Sequence, residues 1–189
     1  MVSDRGKVLS NDKNMFMTAE GEGGMIPPKV ANHHRAIKDE VIKSALDKAG
    51  KTIKDIDLVS FSRSPGLSPC LRVGMETAKD IAKKNEIPLI GVNHCIAHLE
   101  IGNLMTKSKD PVLLYASGVN TQIIAYDGGK YRIFGETLDI GIGNFLDSFA
   151  RHAGLGFPGG PKLEKLGNGS QMKKDRQIIP LPYVVKGMD

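Results

Sequence analysis

The sequence predicts an α/β fold: a mixed sheet with a parallel core and a β-hairpin, and helices on its faces. Three observations predict it. Short apolar runs at residues 56–62, 88–92 and 111–116 alternate with longer amphipathic stretches, the rhythm of parallel strands joined by crossover helices. Two β-rich runs, 121–126 and 130–134, then flank Asp127-Gly128-Gly129, a turn suited to a hairpin. An amphipathic helix over 140–153 then carries Asp147 and is closed by Gly154.

Composition sets the bounds. The 189 residues fit one domain or one large lobe. Hydrophobic residues make up 40% and charged residues 25%, as in a globular protein. Trp is absent and aromatics are 5%, so the core is expected to be Ile, Leu, Val and Ala. A net charge of +5 is compatible with a polyanion such as RNA, and equally with a solvated lysine-rich surface. Two cysteines, Cys70 and Cys95, make no disulfide framework and point to a reducing compartment. Residues 1–14 are polar rather than a secretory signal, and no apolar stretch reaches membrane-spanning length. A cytoplasmic protein with no membrane association is expected.

In chain order, residues 7–10 and 14–18 read as two strands, followed by a Gly/Pro loop. Val30, Ile37, Val41, Ala45 and Leu46 lie on one helical stripe, which predicts a helix over 30–49 closed by Gly50. Pro65-Gly66-Leu67-Ser68-Pro69 links the strand at 56–62 to a helix over 70–85. Such a link can offer backbone N–H groups to an anion, or simply connect strand to helix. A helix over 95–105 follows the strand at 88–92, and a short helix over 162–166 follows Phe157-Pro158-Gly159-Gly160-Pro161. The tail from 169 is lysine-rich and then apolar.

The segment Asn93-His94-Cys95-Ile96-Ala97-His98 carries the sharpest chemical signal. His94 and His98 are four apart, so a helix sets both on one face, where they could grip one metal ion or merely decorate the surface. Zinc-peptidase helices place a Glu after the first His as general base; here Cys95 stands there, and a thiol does not replace that carboxylate. Cys95 itself points about 100° away from the pair and is read as packing. His94 and Tyr115 both stand at or just past strand ends, where sheets of this class bind ligands. His33 and His34 read as helix surface, and Tyr131 and Phe134 as hairpin packing. Lys173, Lys174 and Arg176 form a basic turn that could meet phosphate or only water.

Four motifs then resemble one family. They are Asn93-His94-Cys95-Ile96-Ala97-His98-Leu99-Glu100, Tyr115-Ala116-Ser117-Gly118-Val119-Asn120-Thr121-Gln122, Phe134-Gly135-Glu136-Thr137-Leu138-Asp139, and Gly156-Phe157-Pro158-Gly159-Gly160-Pro161-Lys162-Leu163-Glu164. In this order they are similar to the tRNA threonylcarbamoyladenosine transferases, especially the catalytic subunit of the KEOPS complex, a family once described as a sialoglycoprotein endopeptidase. The resemblance implies the first lobe of a two-lobed, actin-like ATPase fold (ribonuclease H-like) over 1–189. It implies acyl transfer: a threonylcarbamoyl group passes from threonylcarbamoyl-adenylate to the exocyclic amine of the tRNA adenosine next to the anticodon. It implies iron or zinc at His94, His98 and Tyr115. It also implies a nucleotide, threonylcarbamoyl-adenylate or ATP, at Tyr115, Ala116, Ser117, Gly118, Val119, Asp147, Gly160 and Glu164. The partners implied are tRNA and the kinase-like and small dimerisation subunits of KEOPS.

The sequence departs from the family pattern. The match stops at 183–189, where the family continues into a second lobe bearing a further metal carboxylate and a nucleotide-binding Asn. Met1-Val2 falls at the end of the family's first strand. Val119 replaces the second glycine of Ser-Gly-Gly, where a branched side chain is expected to crowd a ligand and to resist positive φ. Pro65-Gly66-Leu67-Ser68-Pro69 departs from the family's Pro-Gly-Leu-Gly-Pro. The alternative reading is a non-catalytic, partner-binding module that keeps the helical surfaces of 30–49 and 95–105.

Overall fold

A computed structural model describes residues 1–3, 5–18, 24–169 and 180. The chain divides into two units, Met1–Ala19 with Met25–Lys109 and Asp110–Asp189 with Glu20–Gly24.

In the first unit, helix α1 (Pro27–Ala49) starts earlier than its apolar stripe, because Pro27 and Pro28 suit a first turn that needs no N–H. Gly50 closes it with φ 62°, and its N–H bonds back to Asp47 and Leu46. The two strands expected before it are not formed; only an isolated bridge joins Val2 to Val8. The polar groups of this segment find partners on α1 instead. Ser10 Oγ donates to the Ala45 carbonyl at 2.7 Å, Lys48 pairs with Asp12 at 2.9 Å, and the His33 ring lies edge-on to Phe16. A single 3₁₀ turn, Ile53–Asp55, delays strand β1 to Val59–Ser64. β1 runs parallel to β2 (Leu89–Asn93), with Val59 opposite Leu89 and Ser62 opposite Val92. Helix α2 (Ser68–Asn85) makes the crossover and buries Val73, Ala78 and Ala82. Helix α3 (His94–Thr106) follows β2 without a loop and buries Cys95 and Leu99.

In the second unit, β3 (Leu113–Ala116), β4 (Thr121–Asp127) and β5 (Lys130–Glu136) form an antiparallel sheet in that order. The run at 111–116 was expected beside β2 in a parallel sheet; it pairs with the hairpin instead, Leu113 opposite Ile124 and Ala116 opposite Thr121. The parallel pair and the hairpin are both present, but in two sheets rather than one. β3 and β4 are joined by four residues, enough to reverse direction but too few for a parallel crossover, so this pair is antiparallel. Gly128 and Gly129, at φ 55° and 79°, make the tight turn between β4 and β5. Tyr126 and Tyr131 stack edge to face at 5.1 Å as hairpin packing, whereas Phe134 is 62% exposed and is not packed as expected.

Helix α4 (Ile142–His152) and helix α5 (Gly159–Gly169) complete this unit, α5 being longer than the sequence suggested. Ala150 is fully buried, and a Cβ added to Gly159 would stand 2.6 Å from its methyl. No helix among the described residues is long and apolar enough to cross a membrane. The basic turn Lys173, Lys174 and Arg176 and the apolar tail after it lie outside the described residues.

Leu99 anchors α3, being 3% exposed, whereas Met105 on the same helix is 70% exposed. Leu99→Ala is expected to cost about 2–5 kcal/mol. Met105→Ala should stay within about 0.5 kcal/mol. Urea unfolding of the two variants checks the contrast.

Candidate functional site

The histidine pair is built by a cap. Asn93, the last residue of β2, turns its side-chain oxygen to the N–H groups of Cys95 and Ile96 at 2.9 and 3.2 Å. That satisfies two of the donors every helix start leaves open and begins α3 at His94. His98 follows one turn later. The Nε2 atoms of His94 and His98 are 3.3 Å apart, with ring centroids at 4.6 Å and planes at 82°. Two nitrogens bound tetrahedrally to one ion at about 2.0–2.1 Å would stand about 3.3–3.4 Å apart. That separation is compatible with one ion held between the two rings. Cys95 is 4% exposed and packs, as read from the sequence. Among the described residues no third His, Cys, Asp or Glu joins the two rings.

Burial, and after it the neighbouring His98, hold His94 below its ordinary value of 6.5. An imidazole that resists protonation keeps the neutral form that binds metals.

Tyr115, Ala116, Ser117, Gly118, Val119, Asp147, Gly160 and Glu164 all belong to the second unit, His94 and His98 to the first. Tyr115 is half-buried on β3 opposite Gln122. After it the chain turns: the Ser117 N–H and hydroxyl both donate to the Asn120 carbonyl at 2.9 Å. The turn is bound to the start of α4. Gly143 and Asn144 donate their N–H groups to the carbonyls of Ser117 and Gly118 at 3.0 Å, and Ile142 donates to Thr121 Oγ1 at 2.9 Å. Such close docking requires glycine. A Cβ on Gly141 would lie 2.5 Å from the Val119 carbonyl carbon, and one on Gly143 would lie 2.7 Å from the Gly118 Cα. Val119 does not take positive φ, so the strain expected there is absent; its side chain is 68% exposed.

Asp147 sits on α4 and caps α5: its Oδ1 accepts the Gly159 N–H at 2.7 Å. Within α5, Gly160 has open space where a Cβ would be, and Glu164, one turn later, is exposed. Structure thus brings Asp147 and the start of the Gly160–Glu164 helix together. Sequence reading missed Gly141, Gly143, Gly159, Thr121 and Lys162 as members of this framework. The signal for the glycines was their density around 141–160; Thr121, Gly159 and Lys162 stood inside the motifs quoted above without a role of their own.

A family model described as TsaD, tRNA N6-adenosine threonylcarbamoyltransferase, matches residues 7–189. A tRNA N6-adenosine threonylcarbamoyltransferase of Thermococcus sibiricus is 52% identical over 183 residues, covering 97% of this chain and 54% of the relative. That of Thermococcus kodakarensis is 53% identical, covering 93% and 53%. A probable bifunctional tRNA threonylcarbamoyladenosine biosynthesis protein of Thermoplasma acidophilum is 48% identical over 188 residues, 34% of its own length. The chain spans about half the length of the single-activity relatives it matches. Among solved structures, YeaZ from Pseudomonas aeruginosa aligns with a TM-score of 0.42 at 18% identity over 55% of this chain and 51% of that one.

Two measurements test this geometry. Gly143→Ala should destabilise the protein by about 1–3 kcal/mol through its clash with Gly118. Gly74→Ala in α2, where a Cβ meets nothing within 4 Å, should stabilise by about 0.5–1 kcal/mol. Equal effects in chemical denaturation would refute the docking. In an NMR pH titration, His94 should take its proton below 6.5, and His98→Asn should return it only part of the way, since burial is the larger cause. The sign for stability follows. The unfolded imidazole protonates near 6.5 and the folded one lower, so this group's contribution is complete above 6.5 and is lost as pH falls through the window below it.

Proposed function

The chain belongs to the tRNA N6-adenosine threonylcarbamoyltransferase family, and from that premise we propose that it carries the metal- and nucleotide-binding half of such an enzyme. The reaction proposed is transfer of a threonylcarbamoyl group from threonylcarbamoyl-adenylate to the exocyclic amine of the tRNA adenosine beside the anticodon. The observation that carries this reading is the 3.3 Å separation of the His94 and His98 Nε2 atoms.

His94 and His98 would hold one iron or zinc ion through neutral imidazoles. A bound ion would supply Lewis acidity toward a carbamoyl carbonyl. Asp147, with one oxygen engaged at Gly159, has its second available to accept from a ribose hydroxyl, and Glu164 is exposed for the same task. Gly118 and Gly160 carry no side chain to obstruct the approach of a nucleotide such as ATP or the adenylate. Positioning of amine and acyl group against each other would supply much of the rate. The proposed setting is the cytoplasm. The proposed partners are tRNA and the kinase-like and small dimerisation subunits of a KEOPS-like complex.

A second reading is a partner-binding module without turnover of its own. What favours it is the apolar stripe of α4, where Ile142, Phe145 and Phe149 are 41%, 50% and 53% exposed.

Titration with cobalt(II), watched by its visible absorption, should give one weak site. His98→Ala should weaken it at least about tenfold, as loss of one of two nitrogen ligands requires. In a modification assay on unmodified tRNA the chain alone should give little or no product. Robust turnover would remove the second reading; cobalt binding indifferent to both histidines would remove the first.

A further inference from the structure

We infer that Lys162 is a positioning residue, holding the segment before α5 in the shape that offers Gly160 and Glu164 to a nucleotide; the inference rests on the nucleotide reading above.

The segment between α4 and α5 contains two glycines at positive φ, Gly154 (73°) and Gly156 (70°), and so has little intrinsic stiffness. Three ties fix it. The Leu155 N–H donates to the Ala150 carbonyl at 2.8 Å, which closes α4. The Gly159 N–H donates to Asp147 Oδ1 at 2.7 Å, which starts α5. Between these ties the carbonyls of Leu155 and Phe157 both accept from Lys162 Nζ, at 2.7 and 3.2 Å. One ammonium therefore gathers two carbonyls of the approach and joins them to the first turn of the helix. Gly156 lies between the two carbonyls, and a Cβ there would stand 3.6 Å from Nζ; a longer side chain would compete for the space.

The consequence concerns register. Gly160 and Glu164 are four apart and share a helix face, whereas Lys162 stands between them on another. Lys162 can thus set where that face begins without occupying it. A neutral side chain of similar length keeps the packing and loses the donors. An arginine keeps the charge and the donors with a different fork.

The test compares the whole chain with Lys162→Met and Lys162→Arg by amide hydrogen exchange over 154–160, by ATP titration calorimetry and by thermal unfolding. Loss of charge-assisted hydrogen bonds should speed exchange and weaken ATP binding about tenfold in Lys162→Met, with Lys162→Arg much nearer the unaltered chain. Thermal midpoints should agree within about 4 °C, since a tie on one exposed segment adds little to global stability. Unchanged exchange in Lys162→Met overturns the tie. Faster exchange with unchanged ATP affinity overturns the positioning role alone. Absence of ATP binding to the unaltered chain overturns the nucleotide reading, and the role with it.

Discussion

Backbone N–H groups at the start of a helix have no partner within it, and in this protein three helix starts find theirs in three different ways. Asn93 serves α3 with its own side chain. The carbonyls of Ser117 and Gly118 and the hydroxyl of Thr121 serve α4. The carboxylate of Asp147 reaches out from α4 to serve α5. Ser117, Gly118 and Asp147 of the candidate site act as caps, and His94, His98, Gly160 and Glu164 stand in the first turn or two of the capped helices. Removing a cap would therefore displace functional atoms as well as lower stability.

The same constraint explains the glycines. A carbonyl can meet an N–H at the start of α4 only if the two backbones approach closely, and a side chain at Gly141 or Gly143 would fill that gap. At Gly159 the neighbours are Ala150 and the backbone of Asp147, so the cap of α5 and the buried methyl of α4 share one space. These glycines are required for lack of volume rather than for positive φ, since none of the three takes it. Gly50, Gly128 and Gly129 show the other use, conformational freedom at turns.

What the sequence made legible follows from what is periodic or local. The helices over α1, α2 and α4, the hairpin turn at Gly128-Gly129 and the shared face of His94 and His98 are all matters of spacing along the chain. The partner of β3 was not legible, because an apolar run such as 111–116 carries no mark of which neighbour it pairs with. The short runs at 7–10 and 14–18 read as two strands, yet polar groups of this segment are taken up by α1, a choice made in space. Asp147 was read as a ligand contact, while one of its oxygens is already committed to Gly159; a carboxylate's second partner cannot be seen from its position in a motif. Membership of the family was legible because four motifs recur in order, and no single one would have sufficed.

The histidine pair closes the argument from charge. Two Nε2 atoms 3.3 Å apart cannot both carry protons and also face each other, because a hydrogen bond needs one donor and one acceptor. One of the two facing nitrogens therefore serves as donor and the other as acceptor, the roles being set by the tautomers. Charging His94 meets partial burial first and, beside a charged His98, like charge second, and both lower its pKa. Because the separation is set by one helical turn capped at Asn93, the distance belongs to α3 rather than to the ligand. Any ion held by the pair would have to conform to it.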